Sequence, residues 1–183
     1  ATRNPQPADR SPMPPEPWLR GPVDGVQPAL MPAAHALIQA REDIERAASG
    51  LAPVQLWTSP GGGAATAGFH LRHIAGSVDR LLTYALGRQL DDRQRAAMAG
   101  EQSPGDPSED AAALVRNAQA AIDRALEIIR ATDPAVLFDK REVGRGKLPS
   151  TLLGILFHVA EHTQRHVGQL ITTAKIVRAG RQS

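Results

Sequence analysis

Five of the six histidines in this chain fall in two short stretches, and both spacings suit metal ligation. His158, His162 and His166 recur at intervals of four. On a helix turning about 100° per residue, that spacing draws one slowly drifting stripe. Gln169 lies on the same side, and Leu156, Val159, Thr163, Val167 and Leu170 form an adjoining apolar flank. The stripe is therefore expected to border a core and not to face bulk water. Imidazoles are costly to bury there unless their nitrogens find partners, and one divalent ion satisfies several of them together. A lone histidine in such a place is ordinarily just a polar helix position. Three in register, with a second cluster elsewhere, argue for a metal.

The second cluster is His70 and His73, within Gly68-Phe69-His70-Leu71-Arg72-His73-Ile74-Ala75-Gly76-Ser77. Their i, i+3 spacing again favours one helix face. Two imidazoles from an H-x3-H pair and one from another helix make a neutral tripod that leaves coordination positions open, as catalytic sites do, and it suits zinc or nickel.

The elements that must position these residues can be read from composition and period. The 183 residues are 42% hydrophobic but only 3% aromatic, so one domain with an aliphatic core is expected. Alanine and leucine dominate the periodic segments while β-branched runs are scarce, which predicts an all-α fold. A first helix runs from about Pro28 or Pro32 to Ala48, with Leu30, Ala34, Leu37, Arg41, Ile44 and Ala48 in period and Ser49-Gly50 as the stop. His35 lies off that line and is expected at the surface or rim. A second helix spans roughly 64–87 and buries Leu71, Ile74, Val78, Leu81, Leu82 and Ala85, with His73, Ser77, Arg80 and Tyr84 on a neighbouring strip. Tyr84 could set its hydroxyl near the metal, although a satisfied core tyrosine is the ordinary reading.

A short helix is expected over 91–100. Gly105-Asp106-Pro107-Ser108-Glu109 reads as the start of a third long helix, with Asp106 as its cap, Leu114 or Val115, Ala118, Ile122, Ala125 and Ile129 inward, and Asp133-Pro134 as its end. The connection from 133 to 149 carries Lys140, Arg141, Arg145 and Lys147 with Gly144 and Gly146, and reads as a mobile positive loop suited to an anionic substrate or thiol. Pro149-Ser150 then opens a fourth helix to about Arg178. These elements predict a four-helix bundle over 28–183 with the site between helices. Residues 1–27 precede it as an extended arm, with seven prolines among the first 26 residues. In that arm Trp18 and Leu19 are expected to lie on the bundle surface.

Several classes are excluded or disfavoured. The absence of cysteine rules out disulfides, thiolate metal sites and a cysteine nucleophile, so thiol chemistry would need an external thiol. Ser59-Pro60-Gly61-Gly62-Gly63 is no phosphate-binding P-loop, because no Gly-Lys-Ser/Thr follows it. No apolar run has the length of a membrane span, and the N-terminus shows no apolar signal-peptide core, so a cytoplasmic protein without membrane contact is expected. The net charge is +2, and eight Lys/Arg against two Glu crowd the chain from Lys140 onward. That stretch lacks interleaved aromatics and any reading motif, so nucleic acid is not the expected partner. His158-Val159-Ala160-Glu161-His162 matches the inverted H-x-x-E-H protease pattern. No Asp or Glu follows Glu161 to complete such a site, and Glu161 points about 100° from His162.

The two histidine pieces, Gly68 to Ser77 and His158-Val159-Ala160-Glu161-His162-Thr163-Gln164-Arg165-His166-Val167-Gly168-Gln169, together resemble the DinB-like superfamily of damage-inducible and thiol-dependent metalloproteins. The resemblance runs from about Pro28 to Arg178, and its most specific part is H-x3-H-x-G-Q. It implies an up-down-down-up bundle with the metal on His73, His162 and His166. Members with known activity include bacillithiol and other thiol S-transferases and mycothiol-dependent maleylpyruvate isomerases. By that resemblance the chain is a metal-dependent thiol S-transferase acting on a small-molecule substrate with an external low-molecular-weight thiol. The alternative is a non-catalytic, metal-binding stress-response bundle working as a homodimer. His158, His70, Tyr84 and Gln169 remain as site-lining candidates, and no catalytic residue is assigned. His158, about 80° around the helix from His166, is expected to line the site and not to ligate.

Overall fold

Apolar residues at helical spacing build four long helices in the computed structural model, which describes residues 14–103 and 109–180. They are α1 (Met31–Ala48), α3 (Ala67–Ala85), α5 (Ala111–Ala131) and α6 (Leu152–Ala179), joined by the short α2 (Pro53–Trp57) and α4 (Asp92–Gly100) and by strands β1 (Lys140–Val143) and β2 (Leu148–Thr151). Side-chain caps start three of the long helices: Thr66 accepts from Phe69 N, Asp110 from Ala112 N and Thr151 from Gly154 N.

Cross-helix hydrogen bonds give the course of the chain. Gln164 donates to Ala36 O and Arg178 to Ala47 O, so α6 runs parallel to α1. Arg41 meets Asp123 while Gln119 meets Glu45, so α5 runs against α1. The pairs His70 with His166 and His73 with His162 run in opposite order along α3 and α6. The result is up-down-down-up. Each helix packs on two others, with α6 between α1 and α3, and α5 on the opposite side between the same two. The core between them is aliphatic, as expected: Leu37, Ile44, Leu71, Ile74, Val78, Ile122, Ile129, Leu156, Val159 and Leu170 are fully buried. Arg41, in period with α1's core residues, is instead paired with Asp123 at 2.9 Å.

Several local expectations change. The 140–147 connection is an antiparallel hairpin in register Lys140 to Thr151 and Val143 to Leu148, not a plain loop. Its strands are four residues long, β1 charged and β2 holding Pro149, which is too short for alternation to register in the sequence. Gly144, at φ 72°, takes the left-handed conformation that its turn needs. Arg141 Nε donates to Ala85 O at 2.7 Å and ties the hairpin to the end of α3. The expected cap Asp106 lies outside the described residues, and α5 starts later, at Ala111 with Asp110 as cap. Glu109, expected inside that helix, precedes it and pairs with Arg72 at 2.6 Å.

The short α2 was not legible either, because five residues show no period. Its Trp57 ring sits where a Cβ on Gly68 would be, with Arg72 stacked 4.7 Å from the ring centroid. In the described part of the arm, Pro17 and Val26 are the buried residues while Trp18 and Leu19 are exposed. The anchor is polar: Arg20 forks onto both carboxylate oxygens of Glu42. His35, half-buried, meets Gly21 O at 2.9 Å.

Candidate metal centre

Antiparallel packing of α3 on α6 turns the two histidine spacings into facing pairs. His73 Nε2 lies 3.0 Å from His162 Nε2, and His70 Nδ1 lies 3.2 Å from His166 Nδ1. Ring centroids are 5.2 Å apart for His73 and His162, 4.3 Å for His73 and His166, and 4.6 Å for His162 and His166. In the trio His73, His162 and His166, one nitrogen from each residue lies within 4.8 Å of the others. Phe69 stacks on His73 with centroids 5.2 Å apart and presents an edge to His70, so the cluster has an aromatic wall.

The electrostatics favour lone pairs over protons. Burial, then the neighbouring His73, pushes His70 down to about 4. Burial, then the surrounding histidines, pushes His166 down to about 3, and His162 is lowered for the same reasons. Neutral imidazoles are the form that binds metal.

A carboxylate that sequence reasoning missed completes the cluster. Glu101, just beyond the end of α4, is buried, and its Oε2 lies 2.7 Å from His73 Nδ1 while Oε1 accepts from Arg80 Nη1 at 2.5 Å. Burial alone would raise its carboxyl, but the bonds from His73 and Arg80 hold it below the usual carboxylate range. Local chemistry delivers it there. Asp91 and Gln94 form a reciprocal cap at the start of α4, and Gln94 also donates to Asp79 and Thr83 at 2.7 Å, which lays α4 along α3. Gly76 leaves the room, since a Cβ there would collide with Glu101 Oε1 and Arg80 Nη1. Nothing in Gly100-Glu101-Gln102 has a spacing to any histidine that would have flagged it.

Acidification should therefore destabilise the metal-free protein. His70 and His166 have folded-state values below the ordinary 6.5, so the unfolded chain takes up these protons first. Their contribution is whole above about 6.5 and is lost progressively as the pH falls towards about 4 and about 3. Glu101, also lowered, adds a loss of the same sign as the pH falls below the ordinary carboxyl value of 4.5. Urea midpoints measured in chelator from neutral pH down to about 4 test this, and a constant midpoint would contradict it.

The trio does not sit in a sealed core. A cavity of about 580 Å³ opens beside it, lined by His73, His162, His158, Tyr84 and Arg145 among others. His158 is exposed, not at the core edge as its stripe suggested, and its Nδ1 lies 3.2 Å from Glu161 Oε2. Glu161 also accepts from Arg165, which turns it away from the trio. Tyr84 is buried against the cavity. A second cavity of about 610 Å³ lies on the other side, with His166, buried His70 and exposed Gln169 in its lining. The hairpin tip brings Gly144 and Arg145 over the first cavity, and Arg145 has no ion-pair partner among the described residues.

The profile of the DinB superfamily matches residues 36–170. Among solved structures, YfiT from Bacillus subtilis, described as a probable metal-dependent hydrolase with an unusual four-helix bundle topology, is similar in fold. It superposes with a TM-score of 0.64 at 16% sequence identity, covering 87% of this chain and 93% of that one. No curated protein matches the sequence. No described helix is long and apolar enough to cross a membrane.

Proposed function

From the premise that the chain belongs to the DinB superfamily, we propose that it is a metal-dependent enzyme that transfers an external low-molecular-weight thiol onto a small electrophile. His73, His162 and His166 hold the divalent ion, with zinc or nickel suiting the donor set. The residues fit it. An ion with metal–nitrogen bonds near 2.0–2.1 Å spans nitrogens about 2.9–3.4 Å apart, and the His73–His162 pair stands at 3.0 Å. When bound, the ion keeps its full positive charge and holds a thiol as thiolate, or a water as hydroxide, at neutral pH.

The observation that carries the reading is the open cleft at the trio. Leu81, Leu90 and Met98 offer an apolar wall to the electrophile, and Arg145 at the rim suits carboxylates on the thiol. In the reaction the thiol sulfur forms the new bond to carbon as the bond from carbon to its leaving group breaks, the leaving group departing with its electron pair and the thiol proton passing through a cleft-edge base to solvent. His158, backed by Glu161, stands at the cleft edge to accept that proton. A cytoplasmic setting, where small thiols stay reduced, belongs to this reading.

A second reading is hydrolysis in this cleft with His158 acting on water, in line with the description of YfiT as a probable metal-dependent hydrolase. Cobalt-substituted protein separates the two. Titration with bacillithiol, mycothiol and glutathione should give a thiolate charge-transfer band with one of them, and Arg145→Glu should weaken that thiol about tenfold, or roughly 1.4 kcal/mol. Silence from all three with turnover of an activated ester would favour the hydrolase. Silence in both assays would leave a non-catalytic metal-binding bundle working as a homodimer.

A further inference from the structure

We infer that His70 is a positioning residue for the metal centre: its Nδ1 accepts the Nδ1 proton of His166 and so holds His166 in the tautomer whose Nε2 lone pair points at the ion. The inference rests on the trio holding a metal, as proposed above, but assigns a role to a residue outside it. His70 is 3% exposed, and its one side-chain polar contact among the described residues is His166 Nδ1, at 3.2 Å. An imidazole buried that deeply needs a partner for its nitrogen, and this is the partner it has.

Two facing Nδ1 atoms can share only one proton. A ring that ligates through one nitrogen carries its single N–H on the other, so of two Nδ1 atoms 3.2 Å apart one must donate and the other accept. If His166 binds through Nε2, that nitrogen carries no proton, and the proton of the neutral ring must sit on Nδ1. His70 then accepts at Nδ1 and carries its own proton on Nε2, on a ring that lines the second cavity. The opposite assignment puts the proton of His166 on Nε2 and removes it as a ligand.

The arrangement parallels the other side of the centre, where Glu101 accepts from His73 Nδ1 at 2.7 Å. One ligand is thus held by an anion and another by a neutral ring, while His162 Nδ1 is buried with no partner among the described residues. A neutral acceptor orients His166 without cancelling charge at the ion. His70 and His73, one turn apart on α3, accordingly do different work: His73 is a ligand, and His70 stands behind one.

Nitrogen-15 NMR of the zinc-loaded full chain, labelled at histidine, reads the tautomers directly. Expected are a slowly exchanging proton on His166 Nδ1 and an unprotonated Nδ1 on His70, and the reverse tautomer on His166 would overturn the inference. Zinc competition titrations supply the second measurement. His70→Leu should lower zinc affinity 10–100-fold, with far-ultraviolet circular dichroism checking that the bundle is intact. His70→Asn, whose Oδ1 can replace the lost acceptor, should recover most of that loss. Folded His70→Leu protein binding zinc within about twofold of the parent, or His70→Asn no better than His70→Leu, would refute the role while leaving the trio standing. Failure of the parent chain to take up zinc would instead bring down the trio, and this inference with it.

Discussion

His162→Ala should yield a folded protein that no longer retains stoichiometric divalent metal. His162 faces both other members of the trio, with its Nε2 3.0 Å from that of His73 and its ring 4.6 Å from His166. Without it, two imidazoles on different helices remain, and affinity should fall by at least about a thousandfold, or roughly 4 kcal/mol. The fold should survive, because the aliphatic core is built from other residues and His162 is only half-buried. Elemental analysis after dialysis, with circular dichroism as the folding check, decides the matter. His158→Ala is the control that should keep its metal, since His158 stands outside the trio and is paired with Glu161. Stoichiometric metal of unchanged affinity in His162→Ala would end the assignment of the trio.

Glu101→Ala should have the largest effect on stability of any polar substitution at the centre. The carboxylate and Arg80 are 7% and 8% exposed, and removing one partner of so buried a pair strands the other charge, at about 3–5 kcal/mol. The same change removes the acceptor behind His73, which should lower metal affinity a further 10–100-fold. Glu101→Gln separates the two consequences. It preserves volume and an acceptor oxygen but not the charge, so it should restore much of the geometry at His73 while leaving Arg80 unneutralised. Urea unfolding in chelator gives the stability term and zinc competition gives the affinity term. A Glu101→Ala protein as stable as the parent would show that water, not the carboxylate, satisfies Arg80.

The four long helices and the meeting of two histidine faces were legible because both depend on period, while the family resemblance singled out His73, His162 and His166 among the five. Ile74, Ile122 and Ile129 fall inward where their spacing put them, and the interval of four on α6 meets α3 only because the helices pack antiparallel. Whatever depends on a single residue meeting a distant segment was not legible. Glu101 reaches His73 across 28 positions through the docking of α4, and no local pattern records that. The hairpin was hidden by its short strands, and the arm's anchor by the expectation that Trp18 and Leu19 would lie on the bundle. His158 shows the limit of periodicity itself. Four-residue steps drift by about 40° per turn, and two such steps carry the first histidine of the stripe out to solvent.

The bare Cα of Gly76 places helix stability and site chemistry in opposition at one position. A glycine inside a helix gives up about 1 kcal/mol against alanine, so selection for thermal robustness alone would replace it. Alanine there would occupy the space in which Glu101 and Arg80 meet and would drive the carboxylate away from His73. The gain in helix propensity would then come at the expense of the ligand's support. A sequence optimised for ruggedness would find this change early and lose the centre without disturbing a single histidine.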